Sequence, residues 1–195
     1  MGRPSPLSLL QDHVGDCRVR VHGVTQGSGF FAAPGRVVTC AHVAGSRPGS
    51  QVPLYWQGVR YEATVLAASP APPGRGLWPY PDLAVLEVAD PPPGHPCVWL
   101  DDMLPPVGTA LTAVGFSDVY EPGAPSERSA ALVRGGTQQL QAGKMLELVD
   151  GEVNKGLSGG PALSHESGGV SAVVKATRLQ NSALGGLATP VSALR

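Results

Sequence analysis

The chain has 195 residues, 15% of them charged, and a formal net charge of -1 at pH 7. This length suits one well-buried domain, or two small barrels sharing one interface, and is too short for two independent modules of ordinary size. The near-neutral charge, without any basic run or stripe, argues against nucleic acid and against a membrane surface as partners.

The predicted elements begin with a polar, irregular N-terminal extension over residues 1–16, which holds a short helix at Pro6–His13. No later segment before the last ten residues shows sustained helical periodicity. Instead, 26 glycines and 20 prolines separate short Val-rich runs, a pattern typical of many strands joined by turns. Twelve strands are predicted, at Cys17–His22, Gly29–Ala33, Val37–Cys40, Val52–Trp56, Val59–Ala67, Leu83–Val88, Ala110–Phe116, Ala130–Arg134, Met145–Val149, Ala162–Leu163, Val170–Ala176 and Gly186–Ala188. The fold class is therefore all-β, a sandwich or closed barrels.

Three further segments complete the predicted layout. Residues 69–81 and 117–129 are expected to be long surface loops, and such loops are often functional or mobile. Near the C-terminus, Thr189 has the character of an N-cap and Pro190 that of the first residue of a final helix. Because the sequence ends within the first turns of this helix, we expect the polypeptide to be a fragment of a longer one.

The cysteines and the N-terminal residues help to predict the cellular compartment of the protein. Cys17, Cys40 and Cys97 are odd in number and lack metal-ligand spacing, so we expect buried small hydrophobes and no metal site. The first residues contain at most a four-residue apolar patch, which predicts neither a secretory signal nor a spanning helix. A cytoplasmic location follows as the expectation. The use of 3 lysines against 11 arginines hints at a GC-rich bacterial genome.

A serine, a histidine and an aspartate carry the chemistry. Ser158 lies in Gly156-Leu-Ser-Gly-Gly-Pro161, His42 ends Val-Thr-Cys-Ala-His, and Asp82 ends Tyr-Pro-Asp. A serine hydroxyl is a poor nucleophile at neutral pH, and it needs an imidazole to take its proton and a carboxylate to hold that imidazole in the useful tautomer. The glycines around Ser158 allow the N–H groups of Gly156 and Ser158 to converge where a carbonyl develops negative charge.

Each of these residues also has an ordinary structural interpretation. His42 alone fits a core histidine, Asp82 a turn former after a proline, and Ser158 a turn serine, because a lone Gly-x-Ser-Gly pattern arises by chance. The order His, Asp, Ser across the chain favours the catalytic interpretation.

The blocks around these residues resemble the chymotrypsin/trypsin-like serine proteases, and within them the HtrA-like bacterial branch. The resemblance rests on Gly27-Ser-Gly-Phe-Phe31 with Val37-Val-Thr-Cys-Ala-His42, Asp82-Leu-Ala-Val-Leu, Asp150 through Pro161, and Gly186-Leu-Ala-Thr-Pro190. It implies that residues 17–195 form two antiparallel six-stranded β-barrels with the active site in the cleft between them. His42 and Asp82 would lie on the first barrel and Ser158 on the second, and no metal or organic cofactor is implied.

This sequence departs from the family pattern at several positions. Leu157 stands where the family often has Asn or Asp, Val43 replaces the cysteine of secreted members, and Lys175 replaces a small polar residue. No PDZ-like module follows the protease-like region, so the quality-control role of the HtrA-like branch is not expected here. Further domains of the same polypeptide are expected as possible partners. Since Leu157 carries no charge to pair with a new N-terminus, we expect gating by the segments 117–129 and 135–144 and not by insertion.

Two predictions of specificity stay open. Glu152, six residues before Ser158, would form the floor of a pocket for Arg or Lys, or it is a solvated loop charge. In the latter case Val153, Ala176 and Thr177 would shape a small apolar pocket that prefers Val or Ala. Lys175, which in isolation is best interpreted as a surface strand residue, would also be a substrate contact, and it could pair with Glu152 or Asp82.

The predicted function is that of a serine endopeptidase that cleaves protein or peptide substrates through an acyl-enzyme. The alternative is a catalytically idle protease fold that binds peptides or serves as a sensor module of a larger protein. An esterase is a weaker third option, because ester hydrolysis needs the same groups.

Overall fold

The computed structural model describes residues 3–72, 78–117, 126–140, 142–177 and 185–195. Within these ranges the chain forms two closed antiparallel barrels of six strands each. The first contains β1 Arg18–His22, β2 Gln26–Ala33, β3 Arg36–Cys40, β4 Gln51–Trp56, β5 Val59–Ala68 and β6 Leu83–Val88. The second contains β7 Ala110–Ser117, β8 Ser126–Leu140, β9 Gly143–Val149, β10 Pro161–Ser164, β11 Val170–Thr177 and β12 Gly186–Pro190.

Closure of each barrel follows from its strand order. The first runs β1-β2-β3-β6-β5-β4 and closes by pairing β4 with β1, while the second runs β10-β11-β12-β9-β8-β7 and closes by pairing β7 with β10. Each strand buries an apolar face, as in β1, where Val19 and Val21 are fully buried between partly exposed neighbours. The predicted all-β fold of two six-stranded barrels is confirmed, and each of the twelve predicted strands is present.

The N-terminal segment is more ordered than predicted. A helix, α1, spans Pro6–Cys17, and the side chain of its N-cap Ser5 accepts a hydrogen bond from the Ser8 amide at 3.1 Å. Only Val14, Gly15 and Cys17 of this helix are buried, so its apolar stripe is too narrow to show in the sequence periodicity. None of the helices in the described ranges combines the length and apolar character needed to cross a bilayer.

The helix α1 contacts both barrels. Gln11 Nε2 donates to Thr112 Oγ1 on β7 at 2.9 Å, and Trp56 Nε1 on β4 donates to the Asp16 carbonyl at 2.7 Å. The N-terminal extension therefore packs as part of the double barrel.

The segments predicted to be loops are partly strands. Residues 126–129 belong to β8, and 135–144 form the end of β8 and the start of β9, while 118–125 and 141 lie outside the described residues. A register shift between Arg134 and Thr137 accommodates Gly135 and Gly136 within the long β8, so these glycines mark a bulge and not a loop. Of the predicted loop 69–81, residues 73–77 lie outside the described residues.

The C-terminal helix starts later than predicted. The strand β12 continues through Pro190, and a short 3₁₀ helix follows at Val191–Leu194. Thr189 is not its N-cap, because its hydroxyl donates instead to the Pro81 carbonyl at 2.7 Å.

Candidate active site

His42 is positioned by the end of β3. This strand leads directly into a short helix, α2, at Ala41–Ala44, which turns the His42 ring toward the cleft and leaves its side chain 23% exposed. Because β3 pairs with β6 so that Cys40 lies opposite Leu83, the residue before β6 comes next to His42.

Asp82, the residue before β6, is fully buried and holds His42 at two points. Its Oδ2 lies 2.8 Å from His42 Nδ1, and its Oδ1 accepts the His42 backbone N–H at 2.9 Å. Its backbone is left-handed, with φ at 56°, a conformation that Asp and Asn adopt more readily than most residues. The carboxylate thus fixes the imidazole with Nδ1 toward Asp82 and Nε2 free to face the cleft.

Ser158 lies on the second barrel, in a turn held from both sides. The Gly159 N–H donates to the Val174 carbonyl on β11 at 2.7 Å, while the Ser158 carbonyl accepts the Ser28 N–H on β2 at 2.8 Å. Gly159 has φ at 89°, and a Cβ at this position would lie 2.0 Å from the Ser28 carbonyl oxygen. Only glycine fits this turn.

The turn before Ser158 has the features of an anion-binding loop. Gly156 has φ at 97° and is partly exposed, and its carbonyl accepts a hydrogen bond from Ser28 Oγ at 2.7 Å. Within the described residues, the N–H groups of Gly156 and Ser158 donate to no protein acceptor. These two amides, predicted to form an oxyanion hole, are therefore available to a carbonyl oxygen of a substrate.

The Ser158 hydroxyl points to the backbone of β11. Its Oγ donates to the Lys175 carbonyl at 2.9 Å, and no hydrogen bond to His42 is present in the described part of the chain. Serine side chains change rotamer readily where they are partly exposed, as Ser158 is.

Lys175 is a buried cation and not a surface strand residue, because it is 8% exposed. Its Nζ donates to the Trp78 carbonyl at 2.6 Å and the Pro79 carbonyl at 3.5 Å, and lies 3.7 Å from Asp82 Oδ2. Of the two pairings left open by the sequence, the structure thus shows the one with Asp82.

Of the other residues predicted to bind substrate, Glu152 and Val153 have different surroundings. Val153 is buried in the core of the second barrel. Glu152 lines a cleft of about 230 Å³ that does not include Ser158 or Lys175. The remaining lining residues are Arg128, Ser129, Ala130, Ala131, Asn154 and Leu157. The side chains of Ala176 and Thr177 lie outside the described residues.

Cys40 faces the same carboxylate as His42. Ligand atoms of Cys40, His42 and Asp82 lie within 4.8 Å of one another, as in a metal site. However, burial raises the pKa of the Cys40 thiol, as does the negative charge of Asp82, so the sulfur stays protonated. The neighbouring Lys175 ammonium also repels a metal ion, so this donor set suits a His–Asp pair better than a metal.

Two contacts of the site were missed in the sequence. The first is the Ser28 hydroxyl, which is fully buried and joins β2 to the turn before Ser158 and to the Phe116 N–H. The second is the contact of Thr189 with Pro81, next to Asp82. Ser28 stands inside the quoted Gly-Ser-Gly block, which is the only signal for it in the sequence.

The fold and this arrangement define a protein of the trypsin-like peptidase class. The model of the trypsin-like peptidase domain matches residues 27–173, and the chain belongs to that family. No curated protein matches the sequence. The HtrA-like branch stays a prediction.

Solved structures share the fold at low sequence identity. The Rv3671c protease in an inactive form has a TM-score of 0.73 at 20% identity, covering 99% of this chain and 94% of that one. A serine-to-alanine mutant of Rv3671c from M. tuberculosis, also in an inactive form, has a TM-score of 0.70 at 22% identity, covering 100% of this chain and 92% of that one. A serine endoprotease from Yersinia pestis has a TM-score of 0.71 at 20% identity, covering 99% of this chain and 65% of that one.

Proposed function

We propose that this protein is a serine endopeptidase that cleaves peptide bonds through Ser158, His42 and Asp82. The observation that carries the proposal is the two-point hydrogen bond of the fully buried Asp82 to His42. A carboxylate in this arrangement selects the imidazole tautomer with Nε2 free to accept a proton, and stabilises the imidazolium once it forms.

In the proposed reaction, Ser158 Oγ turns from the Lys175 carbonyl toward His42 and attacks the scissile carbonyl carbon. The hydroxyl proton passes to His42 Nε2, and the carbonyl oxygen becomes an oxyanion that accepts hydrogen bonds from the Gly156 and Ser158 amides. Collapse breaks the C–N bond, and His42 gives its proton to the leaving amine. Water then attacks the acyl-enzyme by the same route and frees Ser158.

The idle protease fold is the second candidate, and one observation favours it. The Ser158 hydroxyl donates to Lys175, not to His42. Such a position fits either a resting enzyme whose serine turns when a substrate enters or a module that binds peptides without cleaving them. The two candidates differ in whether Ser158 can be turned toward His42.

The absence of disulfide bonds among the three cysteines supports a reducing compartment, and with it the proposed cytoplasmic location. Cys17, Cys40 and Cys97 are all free thiols. Disulfides are rare in such compartments, whereas small secreted domains usually carry them.

The proposed activity is tested with an unfolded protein substrate and a set of peptides and matched esters. The wild-type protein should release internal fragments, and Ser158→Ala should lower kcat by about 10⁴ or more without loss of fold. Ser192→Ala, at an exposed serine, should leave turnover unchanged. Binding without cleavage by the wild type would favour the idle module, and cleavage of esters alone would favour an esterase.

A further inference from the structure

Lys175 is a buried ammonium whose partners among the described residues belong to one short segment of the other barrel. Its side chain is 10% exposed, and its Nζ faces the Trp78 and Pro79 carbonyls and Asp82 Oδ2. A buried cation is costly unless it is paired and hydrogen-bonded, and here the segment that leads to Asp82 supplies those partners. The ammonium thus fastens residues 78–82 of the first barrel to β11 of the second.

The positive charge of Lys175 also compensates the negative charge of Asp82. The Asp82 carboxylate is fully buried, and its two hydrogen bonds come from His42, whose ring is neutral while it serves as a base. In the described part of the chain, the other titratable group facing it is the Cys40 thiol, which burial keeps protonated. Within the described residues, no other lysine or arginine lies within ion-pair distance of Asp82.

The backbone of Lys175 reaches the third member of the triad. Its carbonyl accepts the Ser158 hydroxyl at 2.9 Å, and the preceding carbonyl, of Val174, accepts the Gly159 N–H at 2.7 Å. One residue of the second barrel therefore contacts the carboxylate through its side chain and the nucleophile through its backbone.

We propose that Lys175 is a positioning residue, and not a substrate contact, that pairs with the charge of Asp82 and fixes this carboxylate relative to Ser158 across the cleft. This inference rests on the proposed function. It assigns to the ammonium two separable effects, an electrostatic one on the His42–Asp82 pair and a mechanical one on residues 78–82.

The electrostatic effect has a definite sign. A cation near His42 and Asp82 opposes protonation of the imidazole, so its removal makes imidazolium form at higher pH. Since the base must be neutral, the acid limb of the activity profile should move to higher pH when the charge is removed. A lysine that only filled space would lower activity equally at every pH.

The test compares Lys175→Met, Lys175→Arg, Thr189→Val and the exposed-site control Arg3→Met with the wild type. Peptide turnover is measured against pH, unfolding is measured by denaturant, and the His42 ring protons are followed by NMR. Lys175→Met should lower kcat about 10-fold to 100-fold with a smaller change in KM, and should move the acid limb and the His42 titration to higher pH. Lys175→Arg should keep both near their wild-type positions.

The other variants separate charge from anchoring. Thr189→Val removes the hydrogen bond to Pro81 but no charge, so it should lower kcat slightly without moving the acid limb. Arg3→Met should leave kcat, KM and the acid limb unchanged. An acid limb and a His42 titration that stay in place in a folded Lys175→Met protein would overturn the inference, as would a change confined to KM.

Failure of the proposed function gives a different pattern. A wild type without turnover would refute the endopeptidase assignment, while the His42 titration would still report whether Lys175 acts on the pair. A Lys175→Met protein that does not fold would leave the comparison to Lys175→Arg and Lys175→Gln, in which charge retained and charge lost should again differ in the His42 titration.

Discussion

The two barrels hold their contributions to the site by different means. In the first barrel, the Asp82 carboxylate holds His42 next to paired strands, through the imidazole Nδ1 at 2.8 Å and the backbone N–H at 2.9 Å. In the second barrel, backbone groups hold the turn around Ser158, and two of the contacts, from Ser28, come from the first barrel. The hydrogen bonds within the acid–base pair thus lie in one barrel, with Lys175 as a contact from the other, whereas the nucleophile and the oxyanion loop depend on how the barrels meet.

The largest expected effect comes from breaking the pair within the first barrel. Asp82→Asn keeps the size of the side chain and suits the left-handed backbone at this position, but favours the wrong imidazole tautomer. We expect kcat to fall by about 10⁴ with the free energy of unfolding changed much less. Asp90→Asn, at an exposed aspartate, is the matched control. A kcat within tenfold of the wild type would show that the pair does not work as described.

The turn of the second barrel is tested by adding one methyl group. Gly159→Ala would place a Cβ 2.0 Å from the Ser28 carbonyl and 2.4 Å from Thr39 Oγ1, so it should cost about 3 kcal/mol or more of stability and most of the activity. Gly58 has a similar φ of 78° with no atom within 4 Å of its Cβ position. Gly58→Ala should therefore cost about 1–2 kcal/mol and leave activity unchanged. Equal losses in denaturant unfolding would contradict the proposed crowding between barrels.

The contact between barrels is tested at a serine hydroxyl. Ser28→Ala removes the donor to the Gly156 carbonyl and the acceptor of the Phe116 N–H, and should cost about 1–3 kcal/mol and roughly tenfold in kcat. Ser171 is equally buried, yet its hydroxyl has no hydrogen-bond partner among the described residues. Ser171→Ala should therefore be neutral or stabilising, and a matching loss in both variants would argue against a role of Ser28 in the oxyanion loop.

The smallest effect concerns stability in alkali. Burial raises the pKa of the Cys17 thiol from 9.0 to about 12, and the Cys97 and Asp16 charges act in the same direction. The unfolded chain then loses this proton above pH 9 while the folded one keeps it, so stability is full below that pH and falls as pH rises toward about 12. The wild type should lose stability between pH 8 and pH 10, and Cys17→Ala should remove about 1 kcal/mol of that loss. An equally steep loss in that variant would rule out this thiol as the cause.

Local sequence signals predicted the strands but not the contacts between barrels. Twelve strands were predicted because Gly and Pro interrupt each Val-rich run, and that alternation is a local property. The contact of Ser28 with Gly156 joins residues 128 positions apart, and that of Lys175 with Trp78 joins residues 97 apart. No local pattern reports such distances, so Lys175 appeared to be a surface residue. The helix α1 was predicted too short for a different reason, since its buried stripe holds only three residues.

In the proposed reaction Ser158 is a nucleophile activated by His42, and covalent labelling of the serine measures that activation. A fluorophosphonate probe reacts with a serine only when its base and its oxyanion hole are in place. After incubation, intact mass and peptide mapping should place one label on Ser158 in the wild type, with labelling strongly slowed in His42→Ala and absent in Ser158→Ala. An unlabelled Ser158 in folded wild-type protein, or labelling at the same rate in His42→Ala, would contradict the account.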